Sequence, residues 1–170
     1  QGKVKFLCPC PGYDRHFAIC EYLGIEMINV PMTEDGPDMA VIEEAVKDSS
    51  VKGMFCVPKY SNPQGITFSA ETVRRIANLD VADDFRIIWD NAYCVHDLTD
   101  TTDELLNIFD VLPEKNKNMV IEVASTSKIS YPGAGVSCIA TSVDNVKEIL
   151  KRLTVQAISY DKVNMLRHVK

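Results

Sequence analysis

Residues 53–93 read GMFCVPKYSNPQGITFSAETVRRIANLDVADDFRIIWDNAY. Two short apolar runs, Gly53–Val57 and Arg86–Trp89, have the length and residue content of buried strands. Between them, Pro58–Gly65 carries two prolines and a glycine and reads as loop. Ser69 then caps a helix to about Asn78, with Glu71 near its start. Strand, loop, helix and strand make a βαβ unit, which implies parallel strands.

The same alternation extends both ways. Upstream, Val4–Pro9 is a strand broken by Pro11-Gly12. Asp14 opens a helix to about Leu23, with Phe17, Ile19, Cys20 and Leu23 on or near one face, and Gly24 ends it. Glu26–Val30 is a strand, Pro31 to Pro37 a loop, and Asp38–Lys47 a helix turning Met39, Ile42 and Ala45 inward. Downstream, Asp103–Phe109 is a short helix and Asn118–Val123 a fifth strand. Val136–Thr141 is a sixth strand, and Val143–Val155 a long final helix opened by Ser142. The expected fold is α/β: a three-layer α/β/α domain around a mostly parallel six-stranded sheet. The sixth strand follows the fifth after a Gly/Pro loop too short for a parallel crossover, so it should run antiparallel. Residues 1–170 read as a single domain. A strand starts almost at once after Gln1, which suggests a piece of a longer protein.

Composition limits the function. Lys plus Arg total 18 against 24 Asp plus Glu, a net charge of −6. That acidity argues against nucleic acid or an anionic membrane as partner. The apolar fraction of 46 % and charged fraction of 25 % are ordinary for a globular domain. No apolar run approaches the ~18 residues of a membrane span, and no signal peptide is visible. The 6 cysteines stand at 8, 10, 20, 56, 94 and 138, mostly in apolar segments, and read as reduced thiols in a cytoplasm. Cys8-Pro9-Cys10 lacks zinc spacing and a second ligand pair, so no metal site is expected.

Ligands of open α/β sheets sit beyond the carboxyl ends of the strands. Four strand ends here run into unusual polar residues: Pro11-Gly12-Tyr13, Ser61-Asn62-Pro63-Gln64-Gly65, Asp90-Asn91-Ala92-Tyr93 and Ser125-Thr126-Ser127-Lys128. Carboxylate, amide, phenol and amine converging on one crevice suit a cofactor with a basic ring nitrogen and a carbonyl. Each residue also has a plain reading. Lys128 could be a solvated loop lysine, Asp90 a turn or cap, Asn62 a turn former, and Tyr93 and Tyr13 packing residues.

The three tetrapeptides Asn62–Gly65, Asp90–Tyr93 and Ser125–Lys128, in that order, resemble Asn-Pro-x-Gly, Asp-x-Ala-Tyr and Ser-x-Ser-Lys of the fold type I pyridoxal-phosphate enzymes, the aspartate aminotransferase superfamily. The resemblance covers nearly the whole chain, as the central part of the family's large cofactor-binding domain. The wording around Pro11-Gly12-Tyr13 and Tyr131–Gly135 resembles a bacterial branch of aspartate-type aminotransferases.

The resemblance implies pyridoxal 5'-phosphate as cofactor and a residue-by-residue site. Lys128 would form the Schiff base and carry the substrate's α-proton, which needs a neutral amine, favoured by burial beside cations. Asp90 would sit under the pyridine nitrogen and keep it protonated. Asn62 and Tyr93 would bond the ring oxygen. Tyr13 would stack on the ring. Ser125 and Ser127 would hold the phosphate. Trp89, alternating with Asp90, should be core. His96, three residues past Tyr93, has a site-lining and a plainer surface reading, of which the plainer is preferred; His16 has no firm role and His168 none. One departure stands out: the family's phosphate-gripping arginine, seven or eight residues after the lysine, is replaced by Gly135 and Val136. The implied function is transfer of an amino group between an amino acid, aspartate among the candidates, and a 2-oxo acid by a homodimer. A lyase or decarboxylase of the same fold, or the cofactor-sensing domain of a bacterial transcription regulator, are the alternatives. The 1–170 chain alone is expected to be inactive.

Overall fold

A computed structural model of the chain describes residues 3–169. It contains a seven-stranded sheet built from β1 (Lys5–Cys10), β2 (Glu26–Thr33), β3 (Gly36–Pro37), β4 (Val51–Cys56), β5 (Arg86–Asp90), β6 (Val120–Ser125) and β7 (Ser137–Thr141). The helices are α1 (Asp14–Leu23), α2 (Met39–Ala45), α3 (Ala70–Ala77), α4 (Ile108–Val111), α5 (Val143–Gln156) and α6 (Lys162–Val169). The strand order is β3-β2-β1-β4-β5-β6-β7. From β2 to β6 all neighbours are parallel, while β7 is antiparallel to β6, as its short connection requires.

The sheet has a layer on each face. Leu7, Val30, Met54, Ile87, Trp89 and Val120 face α2 and α3 and form one core with Met39, Ile42, Phe68, Val73 and Ile76. Cys8 and Phe55 face the other way and pack with Cys20 and Phe17 of α1. Each large apolar side chain so buried stabilises the fold by about 1.5–3 kcal/mol relative to exposure. Trp89 is core as expected, 1 % exposed and edge-on to Phe68 with ring centroids 5.9 Å apart.

Local chemistry sets the helix ends. Ser69 Oγ accepts the Thr72 N–H at 3.2 Å, a cap worth about 1 kcal/mol, and starts α3. Gly24 takes φ +66 and its N–H returns to the last turn of α1, a left-handed C-cap that favours glycine. Asp14 lies in the first turn of α1 rather than capping it; Tyr13 is the cap residue and makes no side-chain bond there.

Four expectations need correction. The sheet has seven strands, because residues 31–37 close as a short antiparallel hairpin with Met32 opposite Pro37. A two-residue strand of glycine and proline carries no periodicity to read. Thr33 Oγ1 accepts the Asp35 N–H and donates to the Gly36 carbonyl, tying the turn. The short helix begins at Ile108, not Asp103, because Asn107 caps it through the Phe109 N–H while Asp103 is drawn to Thr67. Residues beyond Val155 form a second helix, α6, started by the Asp161 carboxylate on the Asn164 N–H. In α1, Ile19 and Leu23 face solvent and the buried positions are His16 and Cys20.

Candidate active site

Strand order reverses at β1, whose two neighbours are reached from opposite directions: β2 on one side and β4 on the other. The crevice outside the carboxyl ends of β1 and β4 is the topological switch point, where α/β sheets take ligands. A small cavity lies there, lined by Pro9, Gly12, Tyr13, His16, Ser61 and Asn62 among others. Tyr13 and Asn62, far apart in sequence, thus share one pocket.

β5 supplies the next group. Pleating sends Trp89 and Asn91 to one face and Asp90 to the other. Asn91 Nδ2 donates to Glu122 Oε1 at 2.8 Å on its own face. Asp90 instead meets His16, with Nε2 to Oδ2 3.3 Å. His16 is 8 % exposed, stacks on Phe55 at 4.4 Å and 10°, and receives the edge of Tyr13 at 5.3 Å. Asp90 therefore sits in a fixed orientation, held by a ring that is itself locked between two aromatics. The sequence pattern gave no firm role to His16; its signal is a polar residue on the inward face of an amphipathic helix.

The turn after Asp90 carries Tyr93 toward the end of β6. Lys128 Nζ lies 4.8 Å from the Tyr93 ring centroid. His96 lies on this side too, edge-on to Tyr93 at 5.5 Å and with Nε2 3.3 Å from the Lys128 carbonyl. Ser125 Oγ donates to Ser127 Oγ at 2.8 Å and accepts the Ser127 N–H at 3.1 Å, which pairs the two serines. Lys128 is exposed, and the loop from 128 to 133 runs over the surface. Asn62 lines the small cavity with Tyr13, while the Tyr93 ring lies against Lys128.

Position 135, one of the two where the resemblance places an arginine, has no room for a side chain as the loop stands. A Cβ on Gly135 would come 2.1 Å from Ser127 Oγ and 2.8 Å from Ser127 N. The loop closes so tightly on Ser127 that only glycine fits at 135.

A further cluster ties the Asn62 and Tyr93 loops together. Lys59, 5 % exposed, pairs with Asp97 at 2.9 Å and donates to the Cys94 carbonyl at 3.2 Å. Tyr60 donates its hydroxyl to Asp97 at 2.6 Å, from a backbone with φ +49 that costs about 1–2 kcal/mol in a non-glycine residue. That hydroxyl, and then the Lys59 ammonium, hold the Asp97 carboxyl below the usual carboxylate range. Among the described residues no three His, Cys, Asp or Glu side chains gather as a metal site would need. No helix of the described residues is long and apolar enough to cross a membrane.

Comparison with known proteins gives a consistent answer. The family model described as aspartate amino-transferase matches residues 1–170. A Mycolicibacterium smegmatis protein whose name places it among aminotransferases is 51 % identical over 173 residues, covering 100 % of this chain and 40 % of that protein. Aspartate aminotransferase of Corynebacterium glutamicum is 47 % identical, again over 100 % of this chain and 40 % of its own length. A crystal structure of an aspartate transaminase from the same organism superposes with a TM-score of 0.94, covering 99 % of this chain and 40 % of that one. The α-aminoadipate aminotransferase of Thermus thermophilus, complexed with N-(5'-phosphopyridoxyl)-L-leucine, shares the fold at a TM-score of 0.79 and 20 % identity, covering 96 % of this chain and 42 % of its own. The chain thus spans about 40 % of the length of the relatives it matches. On a match that runs from its first residue to its last, the chain belongs to the aspartate aminotransferase family.

Proposed function

We propose that the whole protein is a pyridoxal-phosphate-dependent aminotransferase, with residues 1–170 as the central part of its large domain. The amino group would pass between an amino acid, aspartate first among the candidates, and a 2-oxo acid. The carrying observation is the Asp90 carboxylate, oriented by the buried His16 at the end of β5, with Lys128 against Tyr93 at the end of the next strand.

The donor set fits the cofactor. Bound pyridoxal phosphate supplies an aldehyde carbon and a protonated ring nitrogen that draws electrons from the substrate's α-carbon. Asp90 would keep a proton at that nitrogen, and His16 would keep Asp90 aimed at it. Tyr13 would cover the ring face. Asn62 and the Tyr93 phenol would donate to the ring oxygen. The Ser125 and Ser127 hydroxyls would face the phosphate, and Lys128 Nζ would take and return the α-proton. Lys128 is exposed in this chain, and its chemistry calls for a drier setting. A homodimer, in which a second subunit closes the crevice, would provide it. The acidic chain and unpaired cysteines fit a cytoplasmic enzyme without nucleic acid or membrane partners.

The test is amino-group exchange by the full-length protein between 15N-labelled aspartate and 2-oxoglutarate. Label should appear in glutamate, and Lys128→Ala should abolish the exchange. Exchange that persists in Lys128→Ala, or none in the unaltered protein with cofactor across the common amino acids, defeats the reading.

A further inference from the structure

His168 stands at the far end of α6, 40 residues beyond Lys128, yet it reaches the loop that carries that lysine. Its Nδ1 lies 2.8 Å from the Asn164 carbonyl, which can only accept, so Nδ1 carries the proton. In the neutral ring Nε2 is then an acceptor. Two hydroxyls lie within reach of that one lone pair, Thr126 Oγ1 at 3.0 Å and Ser130 Oγ at 2.6 Å, and Ser130 Oγ also reaches the Thr126 carbonyl at 3.1 Å. These residues flank Lys128 on either side. They are also the two ends of one helical turn, since the N–H groups of Ile129 and Ser130 both donate to the Thr126 carbonyl at 2.9 Å.

The rest of the loop is fastened to the same helix. Thr126 Oγ1 accepts the Val136 N–H at 2.9 Å, which closes the loop on itself. Asn164, 8 % exposed and one turn before His168, donates to the Gly135 carbonyl at 3.3 Å. Tyr131 lies edge-on to the imidazole at 6.0 Å. Lys128 itself is exposed, and its amine meets the Tyr93 ring at 4.8 Å without a hydrogen bond to hold it among the described residues. The direction of its side chain therefore rests on that ring and on the turn beneath it.

We propose that His168 is a positioning residue for Lys128: its imidazole clamps Thr126 and Ser130 and so sets the turn from which the lysine amine reaches the cofactor. This rests on the aminotransferase reading for its chemical consequence, but the clamp can be tested without it.

The experiment compares full-length unaltered protein with His168→Ala, His168→Gln and Ser130→Ala. Amide hydrogen exchange across residues 126–131, measured without cofactor, reads the clamp. His168→Ala should speed exchange there by about tenfold or more, while β5 and α3 keep their protection. Loaded with pyridoxal phosphate, His168→Ala should lose about 10- to 100-fold in kcat, as a displaced reacting group does, with KM changed less than about threefold. The pH midpoint of its visible absorbance band should also move. His168→Gln, which keeps an acceptor oxygen, should recover part of each effect, and Ser130→Ala should show a smaller version. Exchange, band and kcat all unchanged in His168→Ala overturn the proposal. Absence of any Lys128 labelling in the unaltered protein would instead defeat the aminotransferase reading, and the exchange data would still decide the clamp.

Discussion

Alanine at position 135 should disturb the lysine loop more than any other single methyl group added nearby. Its Cβ would lie 2.1 Å from Ser127 Oγ, 2.8 Å from Ser127 N and 2.9 Å from Ser127 Cα. Non-bonded carbon contacts relax at about 3.5–4.0 Å, so residues 127 and 135 must separate by roughly 1 Å. Such overpacking costs about 1–3 kcal/mol. At about 2–4 °C per kcal/mol, Tm should fall by several degrees. Removing the Ser127 hydroxyl should help only in part, because the backbone N and Cα of Ser127 still obstruct the new methyl. Gly133→Ala is the control: it sits at φ +76 with nothing within 4 Å, so it strains its own backbone by about 1–2 kcal/mol without pushing Ser127. The assay is thermal unfolding together with the rate at which an amine reagent modifies Lys128 in the cofactor-free protein. Gly135→Ala should lower Tm and change that rate, whereas Gly133→Ala should lower Tm alone. A Gly135→Ala protein with unaltered Tm and unaltered Lys128 labelling would refute the close packing of the loop on Ser127.

Three other outcomes follow from the geometry. His16→Ala removes a bond to a charged acceptor, worth about 1.5–3 kcal/mol, so kcat of the full-length enzyme should drop about 10- to 100-fold, and unchanged kcat would sever His16 from Asp90. Burial pushes the Cys8 thiol up to about 12 and the Cys56 thiol up as well, so in the native chain a disulfide reagent at neutral pH should modify exposed Cys10 and Cys138 first; early modification of Cys8 or Cys56 would contradict the packing. Asp97, whose carboxyl is held below its ordinary value, contributes stability that is present above about pH 4 and is lost as pH falls through its lower folded value. Asp97→Asn should therefore flatten the acid limb of the Tm profile, and an identical limb would remove Asp97 from it.

Much of this molecule could be read from local pattern. β4, α3 and β5 were legible because apolar runs of strand length are punctuated by Pro58, Gly65 and the Ser69 cap. The antiparallel β7 followed from the length of one loop. What escaped depends on distant partners. His16 is buried between Phe55 and Tyr13 and meets Asp90, 74 residues later, a partner that the sequence of α1 does not reveal. Asp103 leaves its helix for Thr67, 36 residues away. The Lys59–Tyr60–Asp97 cluster joins two loops whose sequences look like ordinary turns. The candidate site residues stood out as motifs, but which of them lie side by side did not: Asn62 and Tyr13 line one small cavity, while the Tyr93 ring lies against Lys128.

The identity of the reactive lysine is the point on which the function turns, and borohydride trapping reads it directly. The full-length protein would be mixed with pyridoxal phosphate, reduced, digested and mapped by mass spectrometry. A phosphopyridoxyl group on Lys128, absent in Lys128→Ala and weakened in Asp90→Ala, is the expected result. A label elsewhere, or none on a protein shown by its Tm to be folded, would contradict the assignment of Lys128 and with it the proposed chemistry.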